Sequence, residues 1–142
     1  MRIFDCTTYF NEDLMLEVRF NILNKYVDKF VVAESRYSHS GEKKKLNFDI
    51  DRFPEFRKKI IYKIVDEEPK DIIYKEKNNI LFEDEIDKRT NSIKRITHQR
   101  NSIMDCLADA KDEDYIFYSD NDEIPNLENI NFETNKTKIL IF

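Results

Sequence analysis

Four stretches of this chain are apolar almost without a break, and each is only four to six residues long: Phe30-Val31-Val32-Ala33, Ile60-Ile61-Tyr62-Lys63-Ile64-Val65, Tyr115-Ile116-Phe117-Tyr118 and Ile139-Leu140-Ile141-Phe142. A run that short, rich in β-branched and aromatic residues and lacking polar alternation, suits a strand buried on both faces, as in a parallel sheet. Arg2-Ile3-Phe4 is a weaker fifth candidate. Parallel strands need crossovers, and the intervening sequence supplies helical patterns. Asn11 is placed to cap a first helix, with Glu12 and Asp13 in its opening turn. Leu14, Met15, Val18, Ile22 and Tyr26 then read as its apolar face, opposite Glu17, Asn21 and Asn24. A second helix is expected from about Thr90 to Ala110, with a stripe of Ile93, Ile96, Ile103, Met104 and Leu107. Residues 67–89 are polar, contain Pro69 and read as a long loop or insertion over the sheet. The alternation predicts an α/β fold with right-handed crossovers.

With 142 residues, one domain with a real core is expected and two are not. The net charge of −5 argues against a general nucleic-acid surface, which is normally basic. Cys6 and Cys106 form no C-x-x-C and are expected as reduced core thiols. No stretch approaches the length of an apolar membrane span, and Met1 leads almost directly into a strand-like run. A cytoplasmic protein is the expectation. The closing Ile-Leu-Ile-Phe run leads us to expect further chain beyond residue 142.

Acidic residues end the strand candidates: Asp5, Glu34, Asp66 and Asp120. In an open parallel sheet the carboxyl ends of the strands line the ligand crevice, so four carboxylates are expected on one rim. Turns also favour Asp, which is the plainer explanation for any one of them. The fourth is the strongest: Ser119-Asp120-Asn121-Asp122-Glu123-Ile124-Pro125 follows an apolar strand at once. A D-x-D there offers hard carboxylate oxygens to Mg²⁺ or Mn²⁺ and leaves positions open for phosphate. An EF-hand is excluded, because its obligatory glycine and twelfth-position glutamate are missing. Arg100 falls within the apolar stripe of the second helix, so its guanidinium faces either the core or a site. An acidic rim or a phosphate group would partner it. His98 falls on the opposite, solvent side. The one glycine, Gly41, closes the hydroxyl-rich stretch Ser35-Arg36-Tyr37-Ser38-His39-Ser40. That loop reads either as a wrapper for a base and ribose or as an ordinary turn. Lys43-Lys44-Lys45 reads as a solvated face.

In this order the residues resemble glycosyltransferase family 17, the β-1,4-mannosyl-glycoprotein N-acetylglucosaminyltransferases. The motifs are Phe4-Asp5, Phe10-Asn11-Glu12, Leu16-Glu17-x-Arg19, Val27-Asp28-x-Phe30-Val31-Val32-x-Glu34-Ser35, His39-Ser40-Gly41, Lys59-Ile60-Ile61-Tyr62, Gln99-Arg100-Asn101 and Ser119-Asp120-x-Asp122-Glu123-Ile124-Pro125. The resemblance implies a GT-A-like, Rossmann-like nucleotide-sugar-binding domain over residues 1–142, with a mainly parallel sheet flanked by helices. It further implies inverting transfer of GlcNAc from a UDP-sugar donor to a glycan acceptor, with a divalent cation (Mn²⁺ or Mg²⁺) at Asp120 and Asp122. Glu34, Ser35, His39 and Asp66 would lie near the nucleotide, and Arg100 near the diphosphate. The acceptor groove and the general base are expected beyond Phe142. Glu123 is an alternative base, although it is expected to turn back and brace its own loop. Two other readings share these carboxylates: a non-catalytic nucleotide-sugar or glycan-binding module, and a metal-dependent phosphoesterase.

Overall fold

The computed structural model describes residues 1–134; the strand expected at 139–142 lies outside them. Four parallel strands form the main sheet: β1 (Ile3–Tyr9), β2 (Lys29–Ser35), β3 (Ile60–Val65) and β6 (Tyr115–Tyr118), in the order β3-β2-β1-β6. The α/β class and mainly parallel sheet expected from the sequence are present. The weakest strand candidate proves to be central: β1 runs seven residues, from Ile3 to Tyr9, and Cys6 lies between Val31 of β2 and Tyr118 of β6. It reads as polar because Asp5 and Thr7 interrupt it, yet both are buried. A strand can hide polar side chains when they find partners inside, and periodicity does not report those partners.

One face of the sheet packs Ile3, Phe30, Val32 and Phe117 against α1 (Asp13–Leu23) and the Phe48, Phe53 and Phe56 rings. The other packs Phe4, Cys6, Val31 and Ala33 against Ile103 and Leu107, from a 3₁₀ segment spanning Ser102–Leu107. Both cysteines are free thiols. Burial pushes the Cys6 thiol up to about 12, so it packs as a small apolar side chain.

Helix α1 buries a different face from the one expected. Leu16, Arg19, Phe20 and Leu23 point inward, while Leu14 is 76% exposed and Met15, Val18 and Ile22 are also exposed. The helix is apolar on two sides, so hydrophobic spacing alone could not choose between them; a buried pair between Arg19 and Asp5 fixes the choice. Asn11 does not cap it; the N-cap position is Glu12, without a capping side-chain bond.

Residues 67–89 also depart from the expected loop. They contain a two-stranded hairpin, β4 (Lys75–Lys77) with β5 (Ile80–Phe82), turned by Asn78 and Asn79 at φ of 53° and 60°. Asn is one of the few residues that enters the left-handed region at low cost, which suits a two-residue hairpin. Helix α2 spans Glu85–Asn101, starting earlier than Thr90 because Asp84 caps it, accepting from the amides of Ile86 and Asp87. It ends before Ala110, giving way to the 3₁₀ segment at Ser102. Its inward stripe is polar: Asp87, Asn91, Arg95 and Gln99, at four-residue spacing. Ile93 and Met104 of the expected apolar stripe are exposed, whereas Ile103 and Leu107 are buried.

Candidate active site

Chain direction across the sheet reverses between β1 and β6. Strands β1, β2 and β3 step outward one way, and β6 then adds on the other side of β1. Ligands of open α/β sheets bind at such a switch point, outside the carboxyl ends of the strands. A cleft of about 470 Å³ opens there. Thr8 and Tyr9 from β1, and Asp120, Asn121 and Asp122 after β6, contribute to its walls. Ser35, Tyr37 and His39 enter from the loop after β2, and Ile96, Gln99 and Arg100 from α2.

Of the four acidic residues expected on one rim, the cleft receives one. Asp5 lies within β1, only 1% exposed, and pairs with Arg19. Glu34 is wholly buried and accepts from Lys44 Nζ at 2.5 Å, the amides of Asn47 (2.8 Å) and Phe48 (3.0 Å), and the Tyr62 hydroxyl (2.7 Å). It braces the 44–48 segment from beneath instead of meeting the cleft. Burial first, and the bond to Glu34 second, raise the Tyr62 hydroxyl well above its usual range. Asp66 is exposed, bonds Arg36 and does not line the cleft. The strand ends alternate between faces and rim, so an acid after an apolar run is not by that fact a site residue.

The D-x-D loop does open on the cleft. Asp120 accepts from Arg100 Nη2 at 2.9 Å, both side chains remaining nearly half exposed, and Arg100 lies over the Tyr118 ring at 5.5 Å. Arg100 thus meets the acidic rim, one of the two partners expected for it, from outside the helix's buried stripe. Asp122 lines the cleft and its carboxylate has no partner among the described residues. Between them Asn121 is buried, donating to the Glu12 carbonyl at 3.4 Å, while its Oδ1 has no partner among the described residues. Glu123 turns back, accepting from the Asp120 amide at 3.3 Å. His39 faces this group; partial burial and then the nearby Arg100 lower its pKa below 6.5, against an opposing pull from Asp120.

Among the described residues no group of three or more His, Cys, Asp or Glu side chains is placed to hold a metal ion. Two carboxylates do not complete a cation's shell. They do fit a cation that shares its shell with a ligand's phosphate oxygens, because hard divalent ions take mixed carboxylate, phosphate and water oxygens. The carboxylates of Asp120 and Asp122, both on the cleft in one loop, supply that chemistry.

Three buried polar side chains have roles that the sequence reading did not assign, although Arg19 and Gln99 stand in the motifs of the resemblance. Arg19, 0% exposed, donates to both oxygens of Asp5 at 2.8 Å and to Ser119 Oγ at 2.7 Å. Gln99 donates to the Ala33 carbonyl at 2.9 Å and more loosely to that of Tyr9 at 3.5 Å, linking the ends of β1 and β2 under the cleft. Arg95, also buried, donates to Glu68 (2.6 Å), Glu83 (2.8 Å) and the His39 carbonyl (3.3 Å). An Arg or Gln in register with a helix's buried positions was the available signal in all three cases. Gly41 owes its place to Arg95: at φ +88° a Cβ there would meet the guanidinium at 2.5 Å. The close approach is to protein, where a ligand had been one of two expectations. Lys44 lines the cleft while held by Glu34; Lys43 and Lys45 are exposed, as a solvated face should be.

The fold and the cleft together define an open α/β domain with a cleft at the carboxyl edge of the sheet, beside a pair of acidic side chains. The profile of glycosyltransferase family 17 matches residues 1–138. The chain belongs to that family, and sugar donors and acceptors are the partners of a glycosyltransferase. Comparison with characterised proteins and with solved structures gives no match. No helix among the described residues is long and apolar enough to cross a membrane.

Proposed function

We propose that the switch-point cleft holds the nucleotide diphosphate of a sugar donor, UDP-GlcNAc in the first instance, and that the chain is a GT-A-like donor-binding domain spanning residues 1–142. One observation carries this reading: Asp122, unpaired, and the half-exposed Arg100–Asp120 pair share the cleft between β1 and β6. Asp120 and Asp122 would hold a divalent cation, Mn²⁺ or Mg²⁺, against the diphosphate, and the cation when bound would supply Lewis acidity to the departing phosphate. Arg100 has free donors beyond its single bond to Asp120 and can grip a phosphate oxygen. The end of the cleft built by Ser35, Tyr37 and His39 offers hydroxyl and imidazole groups suited to ribose and base. In inverting transfer the acceptor oxygen bonds to the sugar's anomeric carbon as the bond to phosphate breaks, and the acceptor's proton passes to a base.

The carboxylates lining the cleft are those of Glu12, Asp120 and Asp122. Glu12 spends one oxygen on the amides of Phe10 and Asn11, and Asp120 is paired. Donor binding without turnover is the second reading. A thermal-shift screen of nucleotide sugars with and without Mn²⁺ tests the proposal. A shift confined to UDP-sugars plus Mn²⁺ is expected, and no shift with any nucleotide would refute it. A donor-hydrolysis assay on the same ligands then separates enzyme from binding module.

A further inference from the structure

The D-x-D loop is wound around a buried cation supplied by the protein itself. Arg19 rises from α1 into the space under the loop, 0% exposed, with its Nη1 donating to the carbonyls of Asp120 (2.9 Å), Glu123 (3.2 Å) and, more weakly, Asn121 (3.4 Å). Its Nε and Nη2 close a two-point pair with Asp5, and Nη2 also reaches Ser119 Oγ, which donates in turn to the Glu123 carbonyl at 2.6 Å. From these bonds we infer that Arg19, held by Asp5, is a positioning residue for the cation-binding carboxylates, and that the pair is retained for loop geometry instead of stability. This inference rests on the reading of Asp120 and Asp122 as the ligand-binding pair.

The argument is geometric. With the carbonyls of 120, 121 and 123 turned inward onto one guanidinium, the loop backbone has a fixed rotation, and the side chains of Asp120 and Asp122 are left on the cleft side. Asp5 has two roles. It orients the guanidinium through both oxygens, and it neutralises a charge that would otherwise sit beside the proposed cation. Pure stability is a poor explanation for such a pair, since apolar replacements of a buried ion pair are commonly neutral or stabilising. Lysine could pair with Asp5 but has no planar fork to bridge a carboxylate, a hydroxyl and three carbonyls at once.

Two variants separate the roles: Arg19→Lys, and the charge-free double variant Asp5→Leu/Arg19→Met. The loop is read directly by hydrogen exchange at the amides of Ser119 and Glu123, which bond the carbonyls of Cys6 and Asp120. Binding is read by calorimetry with UDP and Mn²⁺. We expect both variants to exchange these amides about tenfold faster or more while the amides of β2 stay protected, because the loss is local. Affinity for UDP–Mn²⁺ should fall by more than about tenfold, as for other groups that orient metal ligands. Wild-type exchange at Ser119 and Glu123 in either variant would overturn the inference, as would full affinity in the double variant. If Arg19→Met with Asp5→Leu does not fold, Arg19→Lys alone decides through the same amides. A wild type that fails to bind UDP–Mn²⁺ sinks the functional reading of the loop, while the exchange result still rules on Arg19.

Discussion

At the amino edge of the central sheet, Arg2 closes on Asp109 and Asp114, Asp28 accepts the Ile3 amide, and Lys59 donates to the carbonyls of Asn24 and Val27. At the carboxyl edge of the same strands, Asp122 and Asn121 Oδ1 have no partner among the described residues, and Arg100 and Asp120 hold each other in half-exposed fashion. Both edges are built from turns rich in Asp, so composition does not distinguish them. What differs is satisfaction. The amino edge spends its charges on backbone ends and neighbours, as a scaffold does. The carboxyl edge leaves the Asp122 carboxylate exposed over a cleft, where it is hydrated and open to a ligand.

If that contrast is real, perturbing the two edges should separate binding from folding. The largest effect is expected for Asp122→Ala, which should lower metal-dependent UDP affinity by more than about 100-fold, beyond the usual loss for an outer-shell partner, with the melting temperature unchanged. A parallel loss of stability would show that Asp122 has a structural partner after all. Arg100→Ala should weaken UDP binding by roughly 10- to 100-fold, the worth of one charge-assisted hydrogen bond. Calorimetry in Mn²⁺ measures both.

Gly41→Ala sharpens the comparison from the scaffold side. A left-handed alanine pressed on the buried Arg95 guanidinium should cost on the order of 1–3 kcal/mol, read by denaturant unfolding. The smallest effect belongs to the amino edge. Burial alone would raise the Asp114 carboxyl, but the Lys111 amide and Arg2 outweigh it and hold the group down to about 2. A carboxyl held below its unfolded value contributes stability that is fully present above the ordinary carboxylate range and is lost as pH falls toward 2. Asp114→Asn should therefore flatten acid unfolding between about pH 4 and pH 2, and leave UDP binding untouched.

The sequence disclosed one edge better than the other, for a physical reason. Strands β2, β3 and β6 announced themselves as short apolar runs, although only β2 is buried on both faces and Ile116 and Tyr118 of β6 are exposed, and the D-x-D loop stood out because it follows β6 directly. β1, which like β2 pairs with two neighbours, was hidden by Asp5 and Thr7, and Asp5 is satisfied only by an arginine fourteen residues away in the chain. The same arginine decided which side of α1 faces inward, against the spacing of Leu14, Met15, Val18 and Ile22. Helix α2 misled in the same way: Asn91 and Arg95 hold loops and Gln99 the ends of β1 and β2 by hydrogen bonds, and an apolar stripe was sought where a polar one is buried. Pattern reading finds apolar burial. Polar burial depends on partners far apart in sequence, and it is polar burial that shapes this cleft.

The most direct test is a titration of UDP into the wild-type protein, once in Mn²⁺ and once in a chelator. We predict saturable one-site binding in Mn²⁺ that chelation removes. Equal affinity in the two conditions, or no heat in either, would contradict a carboxylate pair that grips a diphosphate through a cation.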